Sequence, residues 1–204
     1  MVDPLILRLV AITDDAIERR EGLVDRAAAA VRGGATCVQL RLKNAGPREV
    51  IAMARALVAA ISVPVIVNDR ADIALAAGAA GVHVGPADLP VVAIRRFAPR
   101  GFVIGASLGS EHELENAKDA DYVGIGPLFS SPTKTDAGDA IGIAGFKRLS
   151  ALCELPAIAI GGITAEVVPQ IMEAGAAGVA AINAIFKGAD PEGATRLLAA
   201  AIGK

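Results

Sequence analysis

Short apolar runs alternate with alanine-rich amphipathic stretches from one end of the chain to the other. The apolar runs predict eight β-strands, and the stretches between them predict eight α-helices. The predicted strands cover residues 7–13, 37–42, 63–68, 82–85, 102–107, 122–126, 157–161 and 178–183. The predicted helices cover residues 23–32, 47–60, 71–77, 89–97, 111–117, 146–152, 167–174 and 191–202.

Eight strand–helix units with near-continuous apolar strands predict a parallel sheet covered by helices. Eight strands also close a (β/α)8 TIM barrel, and 204 residues is a compact length for that fold. We therefore interpret residues 1–204 as a single α/β domain with a TIM-barrel fold. A weak internal repeat supports this by placing Val38, Val82, Val123 and Val179 at similar phase in even-numbered strands. A doubly wound open sheet is the alternative, although the first turn lacks the GxGxxG fingerprint of dinucleotide folds.

Composition and charge narrow the classes of function. The chain is 53% hydrophobic with a mean hydropathy of +0.51, yet no apolar run reaches the roughly 18 residues of a membrane span. A net charge of -2 with scattered cations gives no nucleic-acid surface, so we expect small-molecule partners and neither nucleic acid nor membrane. Cys37 and Cys153 lack disulfide or metal spacing, and with no signal peptide this predicts a cytoplasmic protein.

The second predicted strand carries charge on the face that should point into a barrel. Val38, Leu40 and Leu42 alternate with the polar residues Gln39, Arg41 and Lys43. Because the apolar face must meet the helices, the polar face should point inward, towards the mouth formed by the strands' C-terminal ends. Two enclosed cations need counter-charge, so either a structural ion pair or an anionic ligand is expected there.

Two carboxylates follow neighbouring strands on the same rim. Asp69 comes directly after strand three, and Asp88 comes shortly after strand four. Carboxylates next to Lys and Arg predict Mg²⁺, which takes one or two carboxylates and completes its shell with water and phosphate oxygens. The alternative for Asp69 is an ordinary helix cap in front of Ala71.

Further polar groups follow the later strands. Barrels often hold phosphate after strands seven and eight, where this chain has the Gly161–Gly162 pair and Asn183. Ser107 ends strand five and is interpreted either as a ligand contact or as a helix cap. His83 alternates with valines and is interpreted as a hydrogen-bonded core residue that faces inward, not as a catalytic base.

A hydroxyl-rich loop follows strand six. Residues 129–141 contain several Ser and Thr and a single Lys, Lys134. Such a loop is either a solvated surface segment or a binding loop for an oxygen-rich anion. Its 13 residues are long enough to close as a lid over the mouth of the barrel.

Four motifs together resemble the thiamine phosphate synthase family. They are VQLRLK (38–43), VNDRADIALAAGAAGVHVG (67–85), DYVGIGPLFSSPTK (121–134) and AIGGIT (159–164), in family order over nearly the whole chain. The resemblance implies a TIM barrel that joins 4-amino-5-hydroxymethyl-2-methylpyrimidine diphosphate to 4-methyl-5-(2-phosphooxyethyl)thiazole. The products are thiamine monophosphate and diphosphate, and Mg²⁺ is the implied cofactor.

The resemblance also implies roles for individual residues. The diphosphate would contact Arg41, Lys43, Asn68, Ser107 and Lys134, of which Ser107 and Lys134 are the candidate catalytic residues. Gln39 would lie beside the pyrimidine, and Asp69 and Asp88 would hold Mg²⁺. The thiazole phosphate would contact Ser131, Thr133, Gly162, Ile182 and Asn183. Asn183 departs from the family, which commonly has Ser in the last strand.

Two other functions stay open at this stage. A thiazole tautomerase would share the barrel and the thiazole phosphate but would not need a site for a metal ion and a diphosphate. The sequence does indicate such a site, through Arg41, Lys43, Asp69 and Asp88, and this argues against a tautomerase. A non-catalytic binding protein for thiazole phosphate would bind without turnover. Homo-oligomerisation is compatible with all three functions.

Overall fold

Eight parallel strands form a closed barrel in the computed structural model, which describes residues 3–14, 21–130 and 139–203. The strands pair in sequence order, and pairing of β8 with β1, for example Val179 with Leu9, closes the ring. The strands are β1 Leu9–Ile12, β2 Cys37–Leu40, β3 Val65–Asn68, β4 Gly81–Val84, β5 Val103–Leu108, β6 Tyr122–Ile125, β7 Ala157–Ile160 and β8 Gly178–Ala181. The predicted TIM barrel is confirmed, and the open-sheet alternative is wrong.

Helices follow the strands and cover the outside of the barrel. They are α1 Leu23–Arg32, α2 Pro47–Ala60, α3 Ala71–Ala77, α4 Val91–Arg95, α5 Leu114–Ala117, α6 Gly142–Leu152, α7 Val168–Glu173, α8 Asn183–Phe186 and α9 Pro191–Ile202. Short 3₁₀ turns cover Pro4–Leu7 and Glu111–Glu113. Proline in the first turn suits α2 and α9, because its missing N–H has no intrahelical partner there. No helix in the described ranges is long and apolar enough to cross a membrane.

The period of two in each strand sorts side chains between two cores. The larger core lies between strands and helices and includes Val38 and Leu40. The smaller one fills the barrel interior and includes Ile12, Cys37 and Tyr122. Cys37 and Cys153 form no disulfide, and burial raises the pKa of the Cys37 thiol to about 12, so it stays a protonated core residue.

One element differs from its prediction at the site end of the barrel. Residue 183 was expected within the last strand, but β8 ends at Ala181 and Asn183 begins the short helix α8. The prediction was wrong because the apolar run continues through Ile182, and a one-turn helix leaves no periodicity to detect.

Candidate active site

A cleft of about 870 Å³ opens at the C-terminal ends of the strands. It collects all the sequence-predicted site residues that the structure describes. They are Gln39, Arg41, Lys43, Asn68, Asp69, Asp88, Ser107, Gly162, Ile182 and Asn183. The other three candidates, Ser131, Thr133 and Lys134, lie outside the described residues. The expected movement of their loop as a lid falls on the same stretch.

The cationic side of the cleft is built where β2 ends. Gln39 and Arg41 are buried and Lys43 is exposed, and all three face the cleft as the alternation predicts. Thr13 fixes the backbone of Arg41: its Oγ1 accepts from the Arg41 N–H at 2.8 Å and donates to the Arg41 carbonyl at 3.2 Å. Thr13 could not be selected from the sequence alone, since its role depends on the pairing of β1 with β2.

Asp69 has an unusual backbone conformation. Its φ is 66°, a region that residues other than Gly adopt uncommonly, although Asn and Asp do so more often than most. The Arg70 N–H donates to the Asn68 carbonyl at 2.8 Å, which makes Asp69 the centre of a tight γ turn. The Asp69 N–H donates to the carbonyl of His83 at 2.7 Å, which ties the turn to β4. Arg70, not Asp69, occupies the N-cap position of α3, so the structure does not support the helix-cap alternative.

The carboxyl groups of Asp69 and Asp88 meet in the cleft. Asp88 is held by the Gly85 N–H, which donates to its Oδ2 at 2.7 Å. Burial, the charge of Asp88 and a hydrogen bond with Asp88 raise the pKa of Asp69 to about 6, while Lys43 and Arg41 act in the opposite direction. The described residues contain no cluster of three or more metal-ligating side chains. The close pair of Asp69 and Asp88 carboxyl groups, which holds a proton below about pH 6, is the candidate cation site.

A chain of hydrogen bonds connects the floor of the cleft to Ser107. His83 bonds the Tyr122 hydroxyl through Nδ1 and the Ser107 hydroxyl through Nε2, each at 3.1 Å. The Gln39 side chain on the opposite strand interacts with the same tyrosine and acts to lower the pKa of its hydroxyl, as a nearby amide donor would. His83 is thus the buried, hydrogen-bonded residue that its alternation with valines predicted. Ser107 lies within β5 and faces this chain, so it does not cap a helix.

The far end of the cleft is a glycine turn beside β8. Gly161 and Gly162 have φ values of 96° and 65°, which favour glycine. A Cβ at Gly161 would lie 2.7 Å from the Pro127 Cα, and one at Gly162 would lie 2.6 Å from the Phe129 Cβ. The turn therefore needs glycine for packing as well as for its conformation, and it leaves backbone exposed on the cleft side.

The start and end of the loop after β6 are fixed to that turn. The N–H groups of Leu128 and Phe129 donate to the carbonyls of Ile160 and Gly161 at 2.9 and 3.1 Å. Ile141 and Gly142 then donate back to the carbonyls of Pro127 and Leu128 at 3.0 and 2.9 Å. Both ends of the loop therefore lie at the glycine turn, next to the cleft.

Comparison with known proteins decides the family. A family model described as thiamine monophosphate synthase matches residues 9–185. This chain belongs to the thiamine monophosphate synthase family. A thiamine-phosphate synthase of Methanoculleus marisnigri is 44% identical over 195 residues, which cover 93% of this chain and 92% of that protein. One of Roseiflexus castenholzii is 43% identical over 192 residues, covering 92% and 84%.

Solved structures agree with the family assignment. Thiamine phosphate pyrophosphorylase from Pyrococcus furiosus superposes with a TM-score of 0.87 at 32% identity, over 98% of this chain and 97% of that one. A 3-hexulose-6-phosphate synthase superposes with a TM-score of 0.71 at 21% identity, over 94% and 98%, and shares the fold. The chain is a transferase of the thiamine-phosphate synthase type, which condenses a pyrimidine with a thiazole.

Proposed function

We propose that this thiamine-phosphate synthase joins the aminopyrimidine diphosphate to the thiazole phosphate by a dissociative substitution assisted by Mg²⁺. The observation that carries the proposal is one cleft that brings together the cations after β2, the Asp69–Asp88 pair and the Gly161–Gly162 turn. Each feature suits a different part of the reaction: the leaving diphosphate, its metal ion and the second substrate's phosphate.

Asp69 and Asp88 are the proposed ligands of Mg²⁺. Two carboxylates suit this ion, which keeps several positions for water and phosphate oxygens. In the metal-free protein the two carboxylates repel each other, and the raised pKa of Asp69 lets the pair relieve this repulsion by taking up a proton below about pH 6. When bound, Mg²⁺ would supply positive charge that neutralises the departing diphosphate.

Arg41 and Lys43 are proposed to bind the diphosphate directly. The Arg41 backbone, just after β2, is held by Thr13 through both its N–H and its carbonyl, and the Arg41 side chain is buried in the cleft, where its guanidinium suits an anion. Asn68 and Ser107 line the same part of the cleft and supply neutral donors. Charge that develops on the leaving oxygen is stabilised most by donors that are already in place.

The substitution needs no general base from the protein. The C–O bond to the diphosphate breaks and its electron pair leaves with the diphosphate. The lone pair of the thiazole nitrogen then forms the new C–N bond at the same carbon. The inner wall of the cleft carries Ile12, Ile158 and Ile160, which would exclude water while the carbon is electron-deficient.

The thiazole phosphate is assigned to the glycine turn and α8. Gly162, Ile182 and Asn183 line this end of the cleft. Arg26 donates to the carbonyls of Phe186 and, at 3.0 Å, Gly188, and so fixes the C-terminal end of α8. The roles of Ser131, Thr133 and Lys134 remain predictions from the family resemblance.

The test is a coupling assay with both substrates, with and without Mg²⁺. We expect thiamine monophosphate and diphosphate to form in equal amounts, and only with the metal. No product with Mg²⁺ present would refute the proposal. Isomerisation of the thiazole without Mg²⁺ and without coupling would instead indicate a tautomerase.

We also propose a cytoplasmic location, because Cys37 and Cys153 are not joined in a disulfide and reduced thiols persist in that compartment. Homo-oligomerisation stays a prediction that light scattering of the purified protein can measure.

A further inference from the structure

Four polar side chains interact in a row across the barrel: hydrogen bonds join Ser107 to His83 and His83 to Tyr122, and Gln39 interacts with Tyr122 from the other side. Gln39 and Tyr122 come from opposite strands, β2 and β6, while His83 and Ser107 come from β4 and β5. Gln39, His83 and Ser107 line the cleft, and Tyr122 lies beneath them with 1% of its surface exposed. We call these four residues the polar chain.

The barrel interior is shaped around the polar chain. Gly105 pairs with Tyr122, and any Cβ at Gly105 would overlap the tyrosine ring. A Cβ at Gly124 would lie 3.1 Å from the His83 Cε1 atom, tighter than ordinary packing allows. Larger side chains at these two inward positions would displace Tyr122 or His83, so the glycines keep the hydrogen-bonded geometry.

The bonds among these four residues can run in two self-consistent directions when His83 is neutral. A tyrosine hydroxyl and a neutral imidazole each carry one hydrogen to donate. In the first direction, Gln39 donates to Tyr122, Tyr122 donates to Nδ1 of His83, and Nε2–H donates to Ser107. In the second direction every donor and acceptor is exchanged.

An anion at Ser107 selects the first direction. The serine hydroxyl has one hydrogen, and it must point at the anion to bind it. His83 must then donate to the serine oxygen through Nε2–H, which leaves Nδ1 to accept from Tyr122. Burial raises the pKa of the Tyr122 hydroxyl far above its ordinary value, so that the hydroxyl keeps its proton for this bond. Gln39 in turn uses its amide N–H on Tyr122 and presents its carbonyl oxygen to the cleft.

We propose that Tyr122 and His83 are positioning residues that couple diphosphate binding at Ser107 to the orientation of the Gln39 amide. An anionic oxygen at one end of the polar chain sets a hydrogen-bond acceptor at the other end. That acceptor suits an exocyclic amino group, so a substrate with a phosphate and an aminopyrimidine matches both ends. The inference rests on the proposed function, because that function places both ends on one substrate.

The tautomer of the neutral His83 ring, that is, which of its two nitrogens carries the hydrogen, is the direct test and needs no variant in the polar chain. The chain contains only His83 and His112, so His112→Asn assigns the two imidazoles in a long-range ¹H–¹⁵N spectrum. With Mg²⁺ and inorganic diphosphate added to the wild-type protein, we expect His83 to carry its hydrogen on Nε2. A hydrogen on Nδ1, or an average of the two tautomers, would overturn the proposal.

Kinetics of three variants give the second test. For Tyr122→Phe we expect the KM for the pyrimidine diphosphate to rise about tenfold, as one lost hydrogen bond allows, with the KM for the thiazole phosphate unchanged. In the double variant Tyr122→Phe/Ser107→Ala, the fold-increase in the KM for the pyrimidine diphosphate should be smaller than the product of the increases in the two single variants, because both residues act through one chain. Cys37→Ala is the matched control, since Cys37 packs in the same inner core outside the polar chain.

The outcomes separate this inference from the proposed function. If the wild-type protein couples the substrates but Tyr122→Phe raises both KM values equally, or the losses multiply, the polar chain has no positioning role. If the wild-type protein does not couple them at all, the function itself fails. Thermal unfolding of each variant shows whether a loss comes from the fold, and the His83 tautomer remains readable in the wild-type protein.

Discussion

Replacing Asp69 by Asn tests separately the proposed role of this side chain in metal binding and its effect on the free energy of unfolding. The change removes one negative charge from the pair with Asp88 and keeps the side-chain shape. Asn tolerates positive φ, so the turn with φ 66° should persist. The amide can also donate to the Asp88 carboxylate, as a protonated Asp69 does. We expect lost Mg²⁺-dependent coupling together with a more stable metal-free protein.

The size of the stability gain follows from the pKa of Asp69. Moving the pKa from 3.8 to about 6 corresponds to ~3 kcal/mol of unfavourable interaction of the ionised form for a fully buried group. Since Asp69 is only half-buried, solvent screening reduces the gain near pH 8 to about 1 kcal/mol. Loss of one of two protein ligands should lower kcat/KM by roughly 100-fold or more, as for the removal of one transition-state contact.

Urea unfolding without metal and coupling rates over a range of Mg²⁺ concentrations measure the two effects. Asp72→Asn is the matched control, because Asp72 pairs with Arg70 on the surface three residues away and should leave both values nearly unchanged. Full activity of Asp69→Asn at ordinary Mg²⁺ would refute the metal assignment. A less stable metal-free variant would refute the claim that the carboxylates repel.

Three further predictions concern the effect of pH, the hydrogen bonds between Thr13 and Arg41, and an ion pair outside the cleft. The pKa of Asp69 is raised on folding, so the contribution of this side chain to the stability of the metal-free protein is present below about pH 4 and lost as pH rises through about 6. In the same pH range Mg²⁺ must displace a proton, so the apparent affinity for Mg²⁺ in activity titrations should weaken as pH falls below 6. Thr13→Val should raise the KM for the pyrimidine diphosphate severalfold and cost about 2 kcal/mol in urea unfolding, with Thr13→Ser restoring both. Arg95→Ala removes the 2.6 Å ion pair with Asp121 outside the cleft and should cost ~1–2 kcal/mol without changing kcat; a changed kcat would contradict this.

Periodicity was sufficient to predict the barrel and the inward face of β2. The helices Leu23–Arg32 and Pro47–Ala60 begin and end where the sequence places them, because their apolar stripes are long and their ends are marked by Gly and Pro. Gln39 and Arg41 face inward because the period of two leaves no other arrangement once the helices cover the outside.

The features that periodicity missed depend on contacts between distant parts of the chain. Helix α8 has a single turn and no side-chain cap, so its packing, not its local sequence, determines it. Thr13 is recognisable only when β2 lies beside it. The polar chain did leave a trace, because Gly105 and Gly124 occupy inward strand positions where a barrel would otherwise place bulky side chains. Inward glycines beside a single tyrosine indicate that a ring fills their space.

Asp69 departs from local preferences in two respects, and one requirement explains both. Its φ of 66° lies in the left-handed region, which Asp adopts more often than most residues but less readily than Gly, and its carboxylate lies against that of Asp88. Gly would relieve the first problem and Asn the second, so stability alone would not select Asp here. A site that must deliver two carboxylate oxygens to one cation does select it, because the turn tied to the His83 carbonyl holds this carboxylate beside Asp88. The conflict with stability therefore supports the metal assignment independently of the family resemblance.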